Sequence, residues 1–298
     1  MSGFAAKYLL FGKAVILWLP LKIYGLMLIG RHVSIAGGID KAFDRAELLG
    51  CTAMQIFVTN PRGWELSRMN SQEIAEFSRK SRDTGIMAVA HMPYLPNIAS
   101  SEKRIFSKSV ESLVENARRC DELGIKYLVT HMGSHMGNGR EKGLSMVARA
   151  VSNAIDSGIK AMILLENEAG HKNSVGDGVE ELAKVYEMVG DRRLGFCLDT
   201  CHLFAYGYDI GNREVLDRMF ETLDIGKVRA IHLNDAKKGL GSHLDRHANI
   251  GLGEIGTDRI GTFLGYGSIS SKIIILETPV DKGVDEKAEL QLAKSLMA

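Results

Sequence analysis

Six short apolar runs in this chain each end at a residue that can bind a metal ion. Nearly continuous apolar runs are typical of parallel strands that are buried on both faces. If the runs are strands of one parallel sheet, their final side chains meet at one end of it. These final residues are His91, His131, Glu166, Asp199, His232 and Glu277. The pattern therefore predicts a metal site that is assembled from most of the fold.

Two further apolar runs, Met27–Val33 and Ala53–Val58, precede the six, and all eight alternate with helix-like segments such as Ser71–Thr84. Eight such units over residues 27–298 have the size and order of a TIM (β/α)8 barrel. An open doubly wound sheet is the alternative, but it would spread the six strand ends along a line. A closed barrel brings them together at its C-terminal face, where the active sites of barrel enzymes lie. We therefore predict a single-domain α/β fold of the TIM-barrel type.

The composition is that of a folded protein without a global charge that would attract one class of partner. Of the 298 residues, 45% are hydrophobic and 24% are charged, and the formal net charge is +1. A charge this small neither announces nucleic acid binding nor excludes it, since local basic patches can suffice. The four cysteines show no disulfide or CxxC pattern, so we expect reduced thiols and a cytoplasmic protein.

The N-terminal segment is apolar but does not have the pattern of a membrane span. Its longest uninterrupted stretch, Ala14–Leu21, is much shorter than the roughly 20 residues that a spanning helix needs. No convincing small-residue cleavage site of a signal peptide follows it. We expect translation to start at Met27, with residues 1–26 a dispensable leader and residues 27–298 the barrel domain, and we expect no membrane partner.

Three more candidate ligands, His202, Asp245 and His247, lie in segments that follow the sixth and seventh runs. With the six strand ends they make nine donors, more than the four or five that one zinc ion takes. Nine donors suit two or three metal ions with bridging carboxylates. Imidazole and carboxylate donors without a thiolate pattern favour zinc first, and manganese or iron second.

Each candidate has a simpler interpretation, because a single histidine at a strand end more often packs than binds a metal. The carboxylates Glu166, Asp199 and Glu277 are harder to explain in that way. Each ends a run too apolar to bury a charge without a partner. The six ends together therefore favour the metal site. By contrast, the GxGxxG pattern of residues 251–256 follows a loop and not a strand, so we expect its glycines to shape a turn and not a dinucleotide site.

At these residues the chain resembles the endonuclease IV family of metal-dependent apurinic/apyrimidinic (AP) endonucleases, from Met27 almost to the C-terminus. The motifs that carry the resemblance are long and spaced along the chain. They are Cys197-Leu198-Asp199-Thr200-Cys201-His202, His232-Leu233-Asn234-Asp235, Asp245-Arg246-His247, Gly251-x-Gly253-x-x-Gly256 and Leu276-Glu277-Thr278. Three residues depart from the family pattern, namely Met132, Glu168 and His171, and none of them is a ligand in the family.

The resemblance implies a TIM-barrel nuclease with three zinc ions, for which Mn²⁺ or Fe²⁺ are possible substitutes. One zinc would bind His91, His131 and Glu166, and a second would bind Asp199, His232 and Glu277, with Glu166 bridging. The third would bind His202, Asp245 and His247. Glu166 and Glu277 are also the candidate catalytic residues, since either could orient the nucleophile or accept its proton.

The implied activity is that of a hydrolase in base excision repair of DNA. It would cleave the phosphodiester 5′ to an abasic site, leaving a 3′-hydroxyl and a 5′-deoxyribose phosphate, and it would trim blocked 3′ ends. The expected partner is double-stranded DNA that contains abasic sites, and the expected state is a monomer.

Six residues are candidates for DNA contact. Arg62, Trp64 and Tyr94 follow the second and third runs and resemble DNA-penetrating positions of the family. Lys237, Lys238 and Arg246 lie in the seventh loop, where they could contact phosphates. Packing within its loop is an equally good explanation for Trp64, and a solvated loop is the alternative for the three basic residues.

Two other functions compete with the nuclease. A metal-dependent sugar isomerase or epimerase on a related barrel would explain a strand-end set of two glutamates, an aspartate and a histidine. It would not explain the remaining donors as a set, which are His91, His131, His202, Asp245 and His247. A metal-dependent binding protein without catalysis gives no reason for several open metal positions.

Overall fold

The computed structural model describes residues 27–60, 64, 69–280 and 283–297. Within them the eight predicted runs form a closed barrel of parallel strands, each paired with its neighbours along the chain and the last with the first. The barrel strands are β1 (Ile29–His32), β2 (Ala53–Phe57), β3 (Met87–His91), β4 (Tyr127–His131), β5 (Met162–Glu166), β6 (Leu194–Asp199), β7 (Val228–His232) and β10 (Ile273–Leu276). The predicted TIM barrel is confirmed. The expected leader, residues 1–26, and Arg62 lie outside the described residues.

Helices follow the strands around the outside of the barrel. They are α1 (Lys41–Leu49), α2 (Ser71–Thr84), α3 (Lys103–Leu123), α4 (Arg140–Asp156), α5 (Val179–Val189), α6 (Thr200–Tyr206), α7 (Arg213–Thr222), α8 (Gly256–Leu264) and α9 (Glu286–Ser295). Their ends follow local chemistry. Asn70 and Glu73 form a reciprocal capping box at the start of α2. Gly124 ends α3 in the left-handed conformation that glycine adopts without strain.

The sequence prediction missed three elements, a two-stranded ribbon and two helices. The segment from the seventh run to Gly256 is predicted to be a long loop, but it contains the ribbon strands β8 (Asp235–Ala236) and β9 (His247–Ala248). Helices α6 and α8 were not predicted either. Helix α6 starts directly after Asp199, whose side chain accepts a hydrogen bond from the His202 backbone and so caps it. Seven residues are too few for a helical period to be visible in the sequence.

The interior of the barrel holds an apolar layer below its C-terminal rim. The side chains of this layer include Ala53, Val89, Leu164, Cys197 and Ala230, all fully buried. Alternate residues of a strand point to the same side, so the residue two positions later on each strand also points inward. All four cysteines are buried free thiols, as expected. Among the described residues, no helix has the length and apolar character to cross a membrane.

The glycine motif at residues 251–256 wraps around one buried carboxylate. Asp235 accepts hydrogen bonds from the backbone N–H groups of Gly251, Gly253, Ile255 and Gly256, at 2.9 to 3.4 Å. Backbone N–H groups that converge in this way form an anion-binding concavity. The motif therefore binds a side chain of its own chain, and the sequence-based rejection of a dinucleotide site agrees with this arrangement.

Replacing Gly253 by alanine should destabilise the protein, because the added Cβ would overlap a carboxylate oxygen of Asp235 and the backbone oxygen of Ala236. Overpacking of this kind costs about 1–3 kcal/mol. Gly239 is the matched control, since an added Cβ there meets no heavy atom within 4 Å and its φ is not in the left-handed region. Denaturant unfolding of both variants measures the difference. Equal stability of Gly253→Ala and Gly239→Ala would contradict the tight packing of the motif around Asp235.

Candidate metal centre

The C-terminal rim of the barrel carries a ring of polar side chains directly above the apolar layer. Each of the six predicted strand ends stands two positions after an inward-facing apolar residue, as Glu166 does after Leu164 and Asp199 after Cys197. The register pairs His131 with Glu166 and Asp199 with His232 on neighbouring strands. The alternation of the strands and the closure of the barrel thus direct the predicted strand ends into one volume.

Glu166 lies at the centre of this volume and is fully buried. Its Oε2 is 3.1 Å from Nε2 of His91 and 3.6 Å from Nε2 of His131. Its Oε1 is 2.7 Å from Nδ1 of His232, and that nitrogen is 3.2 Å from Oε2 of Glu277. One carboxylate therefore faces two sets of candidate ligands with its two oxygens.

The three candidates from outside the strand ends join the same cluster. Oδ1 of Asp245 is 3.3 Å from Nε2 of His202 and 3.2 Å from Nε2 of His247. The same nitrogen of His247 is 3.6 Å from Oδ2 of Asp199. Helix α6 carries His202, and the ribbon carries His247. Two of the three elements that were not predicted, helix α6 and the ribbon, thus bring His202 and His247 to the strand ends.

Three groups whose ligand atoms lie within 4.8 Å of one another include all nine side chains. The groups are His91, His131 and Glu166; Glu166, Asp199, His232 and Glu277; and His202, Asp245 and His247. They are the groups that the family resemblance implies, and Glu166 belongs to two of them. Two further groups overlap with these, namely His91, His232 and Glu277, and Asp199, Cys201 and His247. The role of the nine side chains as metal ligands stays a prediction.

Each of the five histidines in the cluster has one ring nitrogen engaged outside it. Nδ1 of His91 donates to the backbone oxygen of Met92 at 2.7 Å, and Nδ1 of His202 donates to that of Asn167 at 2.9 Å. Nδ1 of His247 faces the backbone oxygen of Glu277 at 3.2 Å. Such bonds fix the tautomer and direct the other nitrogen inward.

The remaining two histidines use side chains for the same purpose. Nε2 of His232 donates to Oε1 of Gln55 at 2.8 Å, and Nδ1 of His131 donates to Oε1 of Glu168 at 2.9 Å. All five imidazoles therefore present a nitrogen with a free electron pair toward the cluster when they are neutral. This arrangement is typical of metal-ligating histidines.

Two buried nitrogens indicate that the cluster suits a cation. Nε2 of His202 and Nε2 of His247 are buried, and neither has a hydrogen-bond partner of suitable geometry among the described residues. A buried polar atom without a partner costs free energy that a metal–ligand bond would recover. Both atoms point at Asp245, which offers a carboxylate oxygen for the same ion.

Three carboxylates of the cluster, those of Glu166, Asp245 and Glu277, have pKa values lowered from their ordinary range. Burial alone would raise the pKa of Glu166 and of Glu277, but the charge of His232 outweighs it and holds both pKa values below their ordinary range. Burial would likewise raise the pKa of Asp245, but the nearby imidazoles of His202 and His247 lower it. The cluster thus concentrates negative charge around the buried Glu166, while Asp245 at its edge is 39% exposed.

The imidazoles respond to this negative charge in the opposite direction. Burial alone would lower the pKa of His131, but the charges of Glu168 and Glu166 raise it to about 9. Burial also disfavours the charged form of His247, whereas Asp199 and Asp245 raise its pKa to about 9. The site therefore favours positive charge, whether it is supplied by protons on the imidazoles or by metal ions that replace them.

Sequence reasoning missed several side chains that hold the candidate ligands. Gln55 is fully buried on β2, and its Nε2 donates to Oε1 of Glu277 at 2.5 Å while its Oε1 accepts from His232. Asn234 donates to Oδ2 of Asp199 at 2.6 Å and accepts from the Glu277 backbone. The signal for Gln55 was present in the sequence, since an amide interrupts an apolar strand two residues after an inward-facing alanine.

Of the candidate DNA-contact residues, Tyr94 lies beside the cluster, whereas Trp64 lies beside helix α3. Tyr94 is 65% exposed, and its ring centroid is 5.8 Å from that of His91 and 6.1 Å from that of His131. It therefore stands over the open end of the cluster. Trp64 instead lies under Lys108 of α3, whose ammonium is 5.8 Å from the ring, which supports packing on that helix.

The basic residues of the seventh loop border the cluster. Lys237, Lys238 and Arg246 are exposed. Arg246 donates from Nη1 to the backbone oxygen of Asp245 at 2.6 Å, and its own backbone oxygen accepts from Lys237 at 2.8 Å. Positive charge is therefore presented to solvent next to a candidate ligand.

Comparisons with known proteins agree with this architecture. Residues 43–297 match the family model described as the xylose isomerase-like TIM barrel. A protein of Cenarchaeum symbiosum named "probable endonuclease 4" is 43% identical over 280 residues, which cover 91% of this chain and 99% of that protein. The crystal structure of endonuclease IV from Thermus thermophilus superposes with a TM-score of 0.81 at 34% identity, over 90% of this chain and 98% of that one.

A sugar epimerase is similar in fold alone. D-psicose 3-epimerase from Clostridium cellulolyticum has a TM-score of 0.67, but only 14% of its residues are identical. The match covers 91% of this chain and 97% of the epimerase. Barrels of this kind carry many chemistries, so the function must be argued from the site.

Proposed function

This chain belongs to the endonuclease IV family, and we propose that its nine clustered side chains hold the metal ions with which it hydrolyses DNA 5′ to abasic sites. The chain is accordingly a metal-dependent, DNA-cleaving hydrolase of the AP endonuclease type. The observation that carries the proposal is the position of Glu166. Its Oε2 faces His91 and His131 and its Oε1 faces His232, so its two oxygens are directed at different groups among the three assigned, as a bridging carboxylate requires.

We assign three zinc ions to the three groups, with Mn²⁺ or Fe²⁺ as possible substitutes. The donor set supports zinc, because imidazoles and carboxylates in groups of three or four leave positions open for substrate. Metal ions in such sites lower the pKa of a bound water and neutralise charge that develops on phosphate oxygens. The chain itself contributes fixed imidazole tautomers and ionised carboxylates, so little reorganisation is needed when substrate binds.

Of the two candidate catalytic carboxylates, Glu277 is better placed to accept a proton. Both carboxylates have a histidine near each oxygen, but the side chain of Glu166 is completely buried, whereas that of Glu277 is 14% exposed. Gln55 holds Glu277 from below through Oε1. We therefore assign proton acceptance to Glu277 and orientation of the reacting groups to Glu166.

We propose double-stranded DNA with an abasic site as the substrate. A nucleotide without a base leaves the helix at low cost, because it has no stacking or pairing to lose. We assign the exposed ring of Tyr94 to the gap and the exposed Lys237, Lys238 and Arg246 to phosphate contacts. Contacts of this kind make binding weaken with increasing salt. We also propose trimming of blocked 3′ ends, which needs the same phosphodiester hydrolysis.

The reaction itself tests the proposal. Purified protein should cut a duplex with one abasic site on its 5′ side, leaving a 3′-hydroxyl that a polymerase can extend. Prolonged treatment with a chelator followed by its removal should abolish cutting, and added zinc should restore it. A duplex without the lesion and a ketose substrate are the controls. Absence of metal-dependent incision, or epimerisation of the ketose, would contradict the proposal.

Three further expectations concern the chain as a whole. We propose that residues 1–26 are a dispensable leader ahead of the nuclease domain, residues 27–298, and that the protein acts as a monomer in the cytoplasm. A chain that begins at Met27 should then cut the abasic duplex as fast as the full chain and should elute as a monomer in size-exclusion chromatography. Slower cutting by the shorter chain would contradict the first expectation.

A further inference from the structure

The five histidines of the cluster differ in the group that holds their outer ring nitrogen. Three of them use backbone oxygens and His232 uses the amide oxygen of Gln55. Among the five, His131 alone uses a carboxylate, that of Glu168. We propose, on the basis of the proposed metal centre, that Glu168 is a positioning residue. It would increase the affinity for the metal ion bound by His91, His131 and Glu166, relative to the other two ions.

The geometry fits a chain from carboxylate to imidazole to metal. Oε1 of Glu168 is 2.9 Å from Nδ1 of His131, and Nε2 of the same ring is 3.6 Å from Oε2 of Glu166. An ionised carboxylate has no hydrogen to donate and can only accept. Nδ1 of His131 therefore carries the hydrogen, and Nε2 keeps its electron pair for the metal. The negative charge of Glu168 makes that electron pair a better donor than a backbone oxygen would.

Glu168 is held in place independently of His131. Its backbone N–H donates to the backbone oxygen of Gly176 at 2.9 Å, so the segment between β5 and α5 closes on itself. Arg140 of α4 binds Asp177 of the same segment at 2.8 Å and also binds Glu181. The carboxylate is thus presented from an anchored loop and is not free to follow the imidazole.

Burial makes the contact effective. The side chain of Glu168 is 13% exposed and that of His131 is 27% exposed, so water screens the pair only in part. A charge-assisted hydrogen bond in such surroundings is stronger than a neutral one. The outer partners of ligating histidines contribute about 10–100-fold in metal affinity. We expect Glu168 to contribute this factor to one metal ion of the three.

The test is the affinity of each metal ion, measured by competition of zinc with a chromogenic chelator. Glu168→Ala should bind one zinc equivalent about 10–100-fold more weakly and the other two as before. Glu168→Gln should lose less zinc affinity than Glu168→Ala, because its uncharged amide oxygen can still accept a hydrogen bond from Nδ1 of His131. Glu141→Gln is the control, since it removes a carboxylate from a largely exposed ion pair with Lys184 on α4 and α5.

The affinities of the three zinc ions, compared with one another, distinguish the possible outcomes. One weakened equivalent, with kcat lowered and KM for the abasic duplex unchanged, supports the inference. Equal weakening of all three equivalents indicates a general structural role and overturns it. Unchanged affinities in Glu168→Ala also overturn it and leave the proposed function intact, whereas a wild-type protein that binds no zinc overturns both.

Discussion

Replacing Glu166 by glutamine is expected to lower the rate of incision at an abasic site by at least about 10³-fold, the scale of losing a preorganised electrostatic contact at a reaction centre. The amide keeps the shape of the side chain but loses its charge and one of its two acceptor oxygens. Because Oε2 faces His91 and Oε1 faces His232, two ligand groups are damaged by one substitution. The measurement is kcat on a duplex with one abasic site, together with the zinc content per chain.

Glu187→Gln is the control, because it makes the same substitution at an exposed position on α5, away from the ligand groups. Circular dichroism and denaturant unfolding should show that Glu166→Gln still forms the barrel, since the apolar layer below the rim is unchanged. A variant that folds, binds less zinc and does not cut fits the bridging role. A Glu166→Gln protein with wild-type kcat would refute that role.

Replacing Glu289 by alanine is expected to lower the free energy of unfolding by about 3–5 kcal/mol, because it leaves a buried arginine without its main partner. Arg31 is 1% exposed and donates from Nη1 to Oε2 of Glu289 at 2.6 Å. The other oxygen of Glu289 accepts from the Ile250 backbone at 2.9 Å. The carboxylate therefore ties β1 and α9 to the loop that follows the ribbon, and equilibrium unfolding in denaturant measures the loss.

Glu286→Ala is the matched control on the same helix. Glu286 approaches Nε of Arg31 at 3.2 Å, but its side chain is 29% exposed, so its loss should cost about 1 kcal/mol or less. Replacing both buried partners, as Arg31→Met with Glu289→Leu, should recover part of the stability, since no unpaired charge is then buried. Equal costs for Glu289→Ala and Glu286→Ala would contradict the role assigned to this pair.

The sequence predicted the barrel because strand burial and strand order leave a strong pattern. Each barrel strand is an apolar run, and the rim residues end most of them, so His91 or Glu277 could be located without coordinates. Strand ends were accurate to within one residue, except that the first run was predicted to begin two residues too early and the last to end two residues too late. The ends of short strands depend on pairing with neighbours, which a single sequence does not show.

The residues that hold the ligands were harder to predict, for a physical reason. Glu168 reaches His131 across 37 positions and Gln55 reaches Glu277 across 222, and such contacts leave no periodic trace. The ribbon that carries His247 is two residues long on each side, too short for alternation to be visible. The sequence located His202, Asp245 and His247 as candidates, but only the fold shows that they face the other six.

Diffraction from crystals grown with zinc, recorded at the zinc absorption edge, tests the three-metal centre most directly. We expect three anomalous peaks within the cluster, one for each ligand group, with Glu166 bound to two of the ions. A single peak, or peaks that lie outside the nine side chains, would contradict the assignment of a three-metal centre.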